Sequence, residues 1–147
     1  MFPAVLEPPL AFVAGILAGG RSSRMGADKA TLQVGGESLL QRQVHLLREV
    51  QPVEVLVSLG AGSLALPPDL RAVRDAQPDQ GPLGGLCALL EAAGGRPVLV
   101  LAVDMAGMTA SVLSRLLQAA RSGRSVVPRS PTGWEPLAAV YQPTLLA

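Results

Sequence analysis

The residues best suited to chemistry lie in one glycine-rich basic segment, residues 16–29, which reads I-L-A-G-G-R-S-S-R-M-G-A-D-K. It contains Lys29, the only lysine of the chain, together with Arg21 and Arg24. Glycines let backbone N–H groups approach phosphate oxygens, and basic side chains offset the charge of a polyphosphate. The alternative is that both arginines are ordinary solvated residues of a polar loop. The combination favours a site for a phosphorylated anion.

The spacing of this segment excludes two common phosphate-binding motifs. A Walker A motif places Lys directly after its second conserved Gly, whereas here Ala27 and Asp28 separate Gly26 from Lys29. The dinucleotide fingerprint G-x-G-x-x-G also fails, because Gly19 and Gly20 are adjacent. The segment is therefore neither a P-loop nor a dinucleotide turn.

Two carboxylates follow predicted strands. Asp104 comes directly after the apolar run V-L-V-L-A-V, where it could bind Mg²⁺, which takes one or two protein carboxylates and completes its shell with water and phosphate. Position alone equally allows an Asp that caps the next turn. Asp75 is either a turn residue, or a group that hydrogen-bonds a nucleotide base or sugar, or one that helps to hold a second substrate. The following G-P-L-G-G, residues 81–85, is either a tight helix entry or a backbone that a nucleoside can approach closely.

The elements that must position these residues alternate along the chain. Helices are predicted from Ser38 to Pro52, from Pro82 to Gly94 and from Thr109 to Gly123, by their caps, prolines and apolar spacing. Strands are predicted at residues 11–18, 53–58, 70–74, 97–103, 126–127 and 137–141. This alternation predicts a Rossmann-like, three-layer, doubly wound α/β fold with a mostly parallel sheet. Such sheets bind ligands beyond the carboxyl ends of their strands, so the basic segment and the carboxylates should meet at one edge.

Composition excludes several functional classes. The chain has 147 residues, 49% of them hydrophobic, a net charge of +1 and 3% aromatic residues, which argues against a nucleic-acid-binding protein. Cys87 and His45 are the only residues of their types, too few for a disulfide framework or a zinc site. The apolar N-terminal stretch contains Glu7 and three prolines and lacks a basic start, so no membrane span or signal peptide is predicted. We expect a cytoplasmic protein.

Several motifs, in the same order and rough spacing, resemble the molybdenum cofactor guanylyltransferases of the nucleotidyltransferase superfamily. They are L-A-G-G-R-S-S-R-M-G-A-D-K-A (17–30), R-D-A-Q-P-D-Q-G-P-L-G-G-L (74–86), V-D-M (103–105) and E-P-L-A-A-V-Y (135–141). The second glycine of L-A-G-G and the G-P-L-G-G segment favour the guanylyl branch over the cytidylyltransferases. Three features depart from the family pattern: Ala106 stands where a Pro is usual, Ser58 stands where an Asn is frequent, and an Asn-containing C-terminal segment is absent.

The resemblance implies a fold of the nucleotide-diphospho-sugar transferase type and a single nucleotidyltransferase domain over residues 1–147 that lacks the family's C-terminal segment. It implies transfer of GMP from GTP to molybdenum-bound molybdopterin, with pyrophosphate released, Mg²⁺ as cofactor and transient contacts with other molybdenum cofactor biosynthesis proteins. The alternatives are a cytidylyl- or sugar-phosphate transferase of the same fold and a non-catalytic nucleotide-binding module. By the resemblance Lys29 and Arg21 hold the phosphates and Asp104 binds Mg²⁺. The residues implied to bind the nucleotide are Leu17, Ala18, Gly19, Gly20, Lys29, Ser58, Asp75, Gly81, Gly84, Gly85 and Asp104.

Overall fold

A computed structural model describes residues 8–19, 29–60, 62–77 and 80–146. These residues form nine strands and three α-helices. In chain order they are β1 (Val13–Leu17), β2 (Gln33–Val34), β3 (Glu37–Ser38), α1 (Leu39–Glu49), β4 (Val55–Ser58), β5 (Arg71–Val73), α2 (Gly81–Ala92), β6 (Val98–Ala102), α3 (Ala110–Ala120), β7 (Arg129–Ser130), β8 (Gly133–Trp134) and β9 (Ala138–Tyr141). Short 3-10 helices occupy Lys29–Thr31 and Pro143–Leu146.

The main sheet has five strands in the order β5-β4-β1-β6-β9. The first four run parallel, and β9 pairs with β6 in the antiparallel sense. Every residue of β1, β4 and β6 is buried, as expected for parallel strands covered on both faces. The predicted fold, a mostly parallel sheet, is confirmed.

Two layers of helix cover this sheet because successive strand residues point to opposite faces. On one face Ile16 of β1 belongs to the same core as Leu47 of α1 and Leu113 of α3. On the other face Val13 belongs to a second core with Leu89 of α2. Helices α1 and α3 also contact each other. The three-layer arrangement that the sequence predicts is therefore present.

Helix α1 begins where the sequence predicts. The Ser38 side chain accepts a hydrogen bond from the Gln41 backbone at 3.1 Å, and the Gln41 side chain accepts one from the Ser38 backbone at 2.9 Å. This reciprocal pair is a capping box, which satisfies two backbone donors that a helix start otherwise leaves unpaired. The turn through Gly35 and Gly36, both at positive φ, connects β2 to β3 and leads into the cap.

Residues 126–127 differ from the prediction. Val126 makes only an isolated antiparallel bridge to Val140, and no strand forms over residues 126–127. A small hairpin of β7 and β8, which was not predicted, lies between this bridge and β9. The pairing of Val126 with Val140 does not extend into a strand, because Pro128 cannot donate a ladder hydrogen bond. Among the described residues no helix is long and apolar enough to cross a membrane.

Candidate active site

A cleft of about 640 Å³ opens at the carboxyl edge of the sheet. It lies at the ends of three adjacent strands, because Leu17 of β1 is in register with Ser58 of β4 on one side and Ala102 of β6 on the other. Nine of the twelve residues predicted for the site line it: Leu17, Ala18, Gly19, Lys29, Ser58, Asp75, Gly81, Gly85 and Asp104. The edge predicted from strand order is therefore where these residues meet.

Lys29 and Asp104 face each other across the cleft. The Lys29 Nζ lies 3.3 Å from the Asp104 Oδ2, and each side chain is about half exposed. Lys29 opens a 3-10 helix and Asp104 lies two residues beyond β6, so the contact joins segments far apart in sequence. The next helix has its own cap, since Thr109 accepts a hydrogen bond from the Val112 backbone at 3.3 Å. The Asp104 carboxylate thus faces the cleft beside Lys29, and its role as a metal ligand stays a prediction.

Backbone forms the floor of the cleft, where the segments that follow β1 and β4 pack closely at Gly19. The N–H groups of Ala18 and Gly19 both donate to the carbonyl of Ser58, at 2.9 and 3.0 Å. A Cβ on Gly19 would lie 2.6 Å from the backbone nitrogen of Gly60, closer than such atoms approach. Only glycine allows the chain leaving β1 to lie this close to the chain leaving β4.

Gly85, the fifth residue of α2, leaves space at a second wall of the cleft. A Cβ at this position would lie 2.7 Å from the Ser58 Oγ and 2.8 Å from the Leu17 Cδ2. Ser58 itself is almost fully buried at the end of β4. Gly85, Ser58 and Leu17 thus pack closely on one side of the cleft. A larger residue at position 85 would displace its neighbours into space that a ligand needs.

Asp75 contributes a carboxylate with unused bonding capacity. Its Oδ1 is buried and makes no hydrogen bond among the described residues. A Cβ on Gly84 would lie 2.8 Å from its Oδ2, so Gly84 leaves room for this carboxylate although it does not line the cleft. A buried acceptor without a partner is unfavourable by about 1–3 kcal/mol, so a ligand that donates a hydrogen bond here gains affinity.

Some lining residues were not predicted. They are Leu59, Gly60, Gly62, Ala102, Val103 and Leu137; Pro82, also in the lining, belongs to the predicted segment 81–85. Arg74 supports part of this wall, because its Nη1 donates to the carbonyl of Gly62 at 2.9 Å. A signal for Gly60 and Gly62 was present: both glycines follow a predicted strand at the ligand-binding edge. Leu137 has no comparable signal, since its position depends on how β9 pairs with β6.

Two predicted residues, Gly20 and Arg21, lie outside the described residues, as does Arg24. Within the described residues no group of three or more His, Cys, Asp or Glu side chains could enclose a metal ion. Among the described lining residues, the carboxylates are those of Asp75 and Asp104, of which Asp104 is the more exposed, and the ammonium group is that of Lys29.

Comparison with known proteins gives a consistent result. A family model described as the MobA-like NTP transferase domain matches residues 14–147. The chain is 42% identical over 140 residues to a probable molybdenum cofactor guanylyltransferase of Opitutus terrae, covering 93% of this chain and 69% of that protein. It is also 42% identical over 103 residues to the molybdenum cofactor guanylyltransferase of Xanthomonas euvesicatoria, covering 69% of this chain and 51% of that protein.

Solved structures share the fold at lower identity. The structure of Rv0371c from Mycobacterium tuberculosis superposes with a TM-score of 0.75 at 19% identity, covering 95% of this chain and 75% of that one. The molybdopterin-guanine dinucleotide biosynthesis protein A of Archaeoglobus fulgidus gives a TM-score of 0.68 at 20% identity, covering 90% and 68%. The fold is thus common to these chains.

Proposed function

The chain belongs to the MobA-like NTP transferase family, and from that premise we propose that it transfers the guanylyl group of GTP to molybdenum-bound molybdopterin, releasing pyrophosphate. The relatives at 42% identity carry that activity in their names. The observation that carries the proposal is the cleft in which Lys29, Asp104 and Asp75 meet over a glycine-lined floor. Because the matches span 51% and 69% of those relatives, the activity of the whole protein is a proposal that needs its own test.

The chemistry asks the protein mainly to position reactants and stabilise charge. A terminal phosphate of the acceptor attacks the α-phosphorus of GTP, the new P–O bond forms, and the bond to the β-phosphate oxygen breaks to release pyrophosphate. The attacking phosphate is already ionised, so no side chain needs to remove a proton. In this proposal the Lys29 ammonium binds the triphosphate and offsets the negative charge that builds up on it.

We propose that Asp104 holds a Mg²⁺ ion. The donor set fits this ion, because Mg²⁺ takes one or two protein carboxylates and otherwise water and phosphate oxygens, and the half-exposed Asp104 carboxylate faces the cleft. When bound there, Mg²⁺ would supply charge stabilisation on the leaving pyrophosphate. The present Lys29–Asp104 contact places the ammonium beside the carboxylate that would carry the metal.

The nucleoside would occupy the side of the cleft between Asp75 and the start of α2. The Asp75 Oδ1, which has no hydrogen-bond partner in the part of the chain that the structure describes, can accept a hydrogen bond from a base or a ribose hydroxyl. Gly81 and Gly85 line this side and present backbone with little side-chain bulk. Ser58 offers a shorter hydroxyl where relatives of the family often have an amide, so we expect it to contact the ligand directly or through one water.

The deciding experiment is calorimetric titration of the purified protein with GTP, CTP and ATP in the presence of Mg²⁺, together with a pyrophosphate-release assay with molybdenum-bound molybdopterin. We expect GTP to bind at least tenfold more tightly than CTP or ATP. We expect pyrophosphate release only when GTP is the nucleotide supplied with the acceptor. Equal affinities would contradict the guanylyl assignment. GTP binding without pyrophosphate release would instead identify a non-catalytic nucleotide-binding module.

A matched pair of variants tests the metal. Asp104→Asn removes the proposed ligand, and we expect about 10²–10³-fold lower turnover from the lost charge stabilisation. Asp69→Asn removes the same charge from an exposed carboxylate that pairs with Arg48 and does not line the cleft. Its turnover should match the unmodified protein. Equal turnover of both variants would exclude Asp104 as a metal ligand.

A further inference from the structure

A buried amide lies behind the turn that carries Asp104. Gln43, in the middle of α1, is only 1% exposed. Its Nε2 lies 3.3 Å from the carbonyl oxygen of Ala102, 3.2 Å from that of Val103 and 3.0 Å from that of Met105. One side-chain amide therefore lies within hydrogen-bond distance of three backbone acceptors.

These three carbonyls stand on either side of Asp104. Ala102 is the last residue of β6, Val103 precedes Asp104 and Met105 follows it. Within the turn, the Met105 N–H donates to the Ala102 carbonyl at 3.2 Å, and the Ala106 N–H donates to the Asp104 carbonyl at 2.9 Å. The Val103 N–H donates to the Leu17 carbonyl of β1 at 3.1 Å. Gln43 adds an attachment to a further element, helix α1.

The residue type indicates that this contact has a purpose beyond packing. Gln43 lies between Leu40 and Leu47 on the buried side of α1, where an apolar side chain would pack without needing any partner. Glutamine there is tolerated because its amide is hydrogen-bonded, and without it the three carbonyls would lose the buried donor that connects them to α1.

We propose that Gln43 is a positioning residue: its amide fixes the peptides on both sides of Asp104 and thereby holds the Asp104 carboxylate in the cleft. The metal-binding consequence rests on the proposed function. Residues that orient a metal ligand change metal affinity by about 10–100-fold when they are removed, although they never touch the ion. Gln43 should act in this way through the backbone of the turn.

The chain offers a matched control in Gln142, its second buried glutamine. The Gln142 Nε2 also donates to backbone carbonyls, those of Ala120 at 3.2 Å and Arg124 at 3.3 Å. These lie at the end of α3, and neither residue lines the cleft. Gln43→Met and Gln142→Met thus each remove one buried amide from two or three carbonyls, and only the first affects the turn that bears Asp104.

The first measurement is the affinity for Mn²⁺·GTP. Mn²⁺ is the probe, and water-proton relaxation reports its binding. We expect Gln43→Met to raise the dissociation constant about tenfold and Gln142→Met to leave it within twofold of the unmodified protein. Equal constants for the two variants would overturn the proposal. If the unmodified protein and Asp104→Asn bind Mn²⁺·GTP equally well, the proposed metal site at Asp104 is also excluded. This comparison is separate from that between the two glutamine variants.

The second measurement needs neither metal nor nucleotide. Amide hydrogen exchange of Met105 and Ala106, relative to the amides of β1, should accelerate at least tenfold in Gln43→Met and remain unchanged in Gln142→Met. Unchanged exchange in both variants would overturn the proposal even if the metal site is real.

A third variant guards against a fold that does not tolerate methionine. Gln43→Glu keeps the side-chain length, and its neutral carboxyl can donate one hydrogen bond, whereas its carboxylate is repelled by the carbonyls. We expect the Mn²⁺·GTP affinity of this variant, relative to that of the unmodified protein, to fall as the pH rises. A ratio that is independent of pH would contradict the role of the amide as donor.

Discussion

At the scale of single residues, the cleft is shaped by glycines whose missing side chains leave room for a ligand. Gly85→Ala would place a Cβ 2.7 Å from the Ser58 Oγ and 2.8 Å from the Leu17 Cδ2. The clash costs about 1–3 kcal/mol, and the better helix propensity of alanine returns about 1 kcal/mol. We therefore expect the fold to survive while GTP affinity, measured by calorimetry, falls at least tenfold.

The control for this variant is Gly107→Ala. Gly107 lies outside the cleft lining, and a Cβ there would meet no atom within 4 Å. We expect it to bind GTP as the unmodified protein does. Similar losses in both variants would show that Gly85 has no special place in the site.

Lys29 allows a prediction that depends on its being the only lysine. Lys29→Ala should lower kcat/KM by about 10²–10³-fold, because one charge-stabilising donor is lost, and Lys29→Arg should lose less because the charge remains. An amine-directed acylating reagent can modify only one side-chain ammonium in this chain. Intact-mass analysis should show that Mg²⁺·GTP slows this modification at least fivefold. Modification at an unchanged rate would place Lys29 away from the phosphates.

The residues of the site were predictable to different degrees. Lys29 stood out as the only lysine, in a glycine-rich basic segment. Asp104 stood out because a carboxylate directly after an apolar strand needs a functional or structural partner. Gln43 did not, although it interrupts an otherwise apolar stripe between Leu40 and Leu47, a pattern that indicates a buried amide with a partner elsewhere. The identity of that partner depends on tertiary packing of α1 against the end of β6, which no local pattern encodes.

At the scale of elements, the capping box of α1 supports the helix that carries Gln43. Ser38→Ala removes the side-chain acceptor of the Gln41 N–H, and we expect the free energy of unfolding to fall by about 1 kcal/mol. Urea denaturation measures this directly. Ser114→Ala, at an exposed interior position of α3, is the control and should leave stability unchanged or slightly higher, since alanine is the better helix former. Equal destabilisation by both would argue against a cap at Ser38.

The elements were predictable wherever a local signal marks their ends. Ser38 and Thr109 cap α1 and α3 as expected, and the buried strands match their apolar runs. The segment around residues 126–134 was not predictable. Val126 and Val127 have strand propensity, but Pro128 interrupts the run and the tight turn before Gly133 sets the actual pairing of β7 with β8. Pairing between short strands depends on turn geometry more than on propensity.

At the scale of the whole molecule, Tyr141 reports on the integrity of the sheet because it is the only tyrosine. It lies on β9, and its hydroxyl donates to the Pro136 carbonyl at 2.7 Å. Burial raises the pKa of the Tyr141 hydroxyl above its ordinary value of 10.0, because the phenolate is poorly solvated there. Tyrosinate absorbance of the folded protein should therefore rise with a midpoint above pH 10. A midpoint at or below 10 would contradict the buried position.

The same shift has a defined sign for stability. The folded-state pKa exceeds the unfolded one, so the contribution of Tyr141 is fully present below pH 10 and is lost as the pH rises through the raised pKa. Urea denaturation at increasing pH should show the free energy of unfolding falling in this range. The free energy of unfolding of Tyr141→Phe should fall less steeply over the same pH interval. An identical slope for the two proteins would contradict the assignment of this pH dependence to Tyr141.

The strand order also governs how this chain can fold. β1 is the central strand, yet it pairs with β4 and with β6, so Val13 contacts Val98 across most of the sequence. Pairings this distant carry a large loop-closure cost and slow the search for the native sheet. During synthesis β1 is made before both of its neighbours, and it lacks one of them until residues 98–102 have been made. The unpaired edge of the strand that anchors the cleft is therefore exposed to misassociation over most of the synthesis of the sheet.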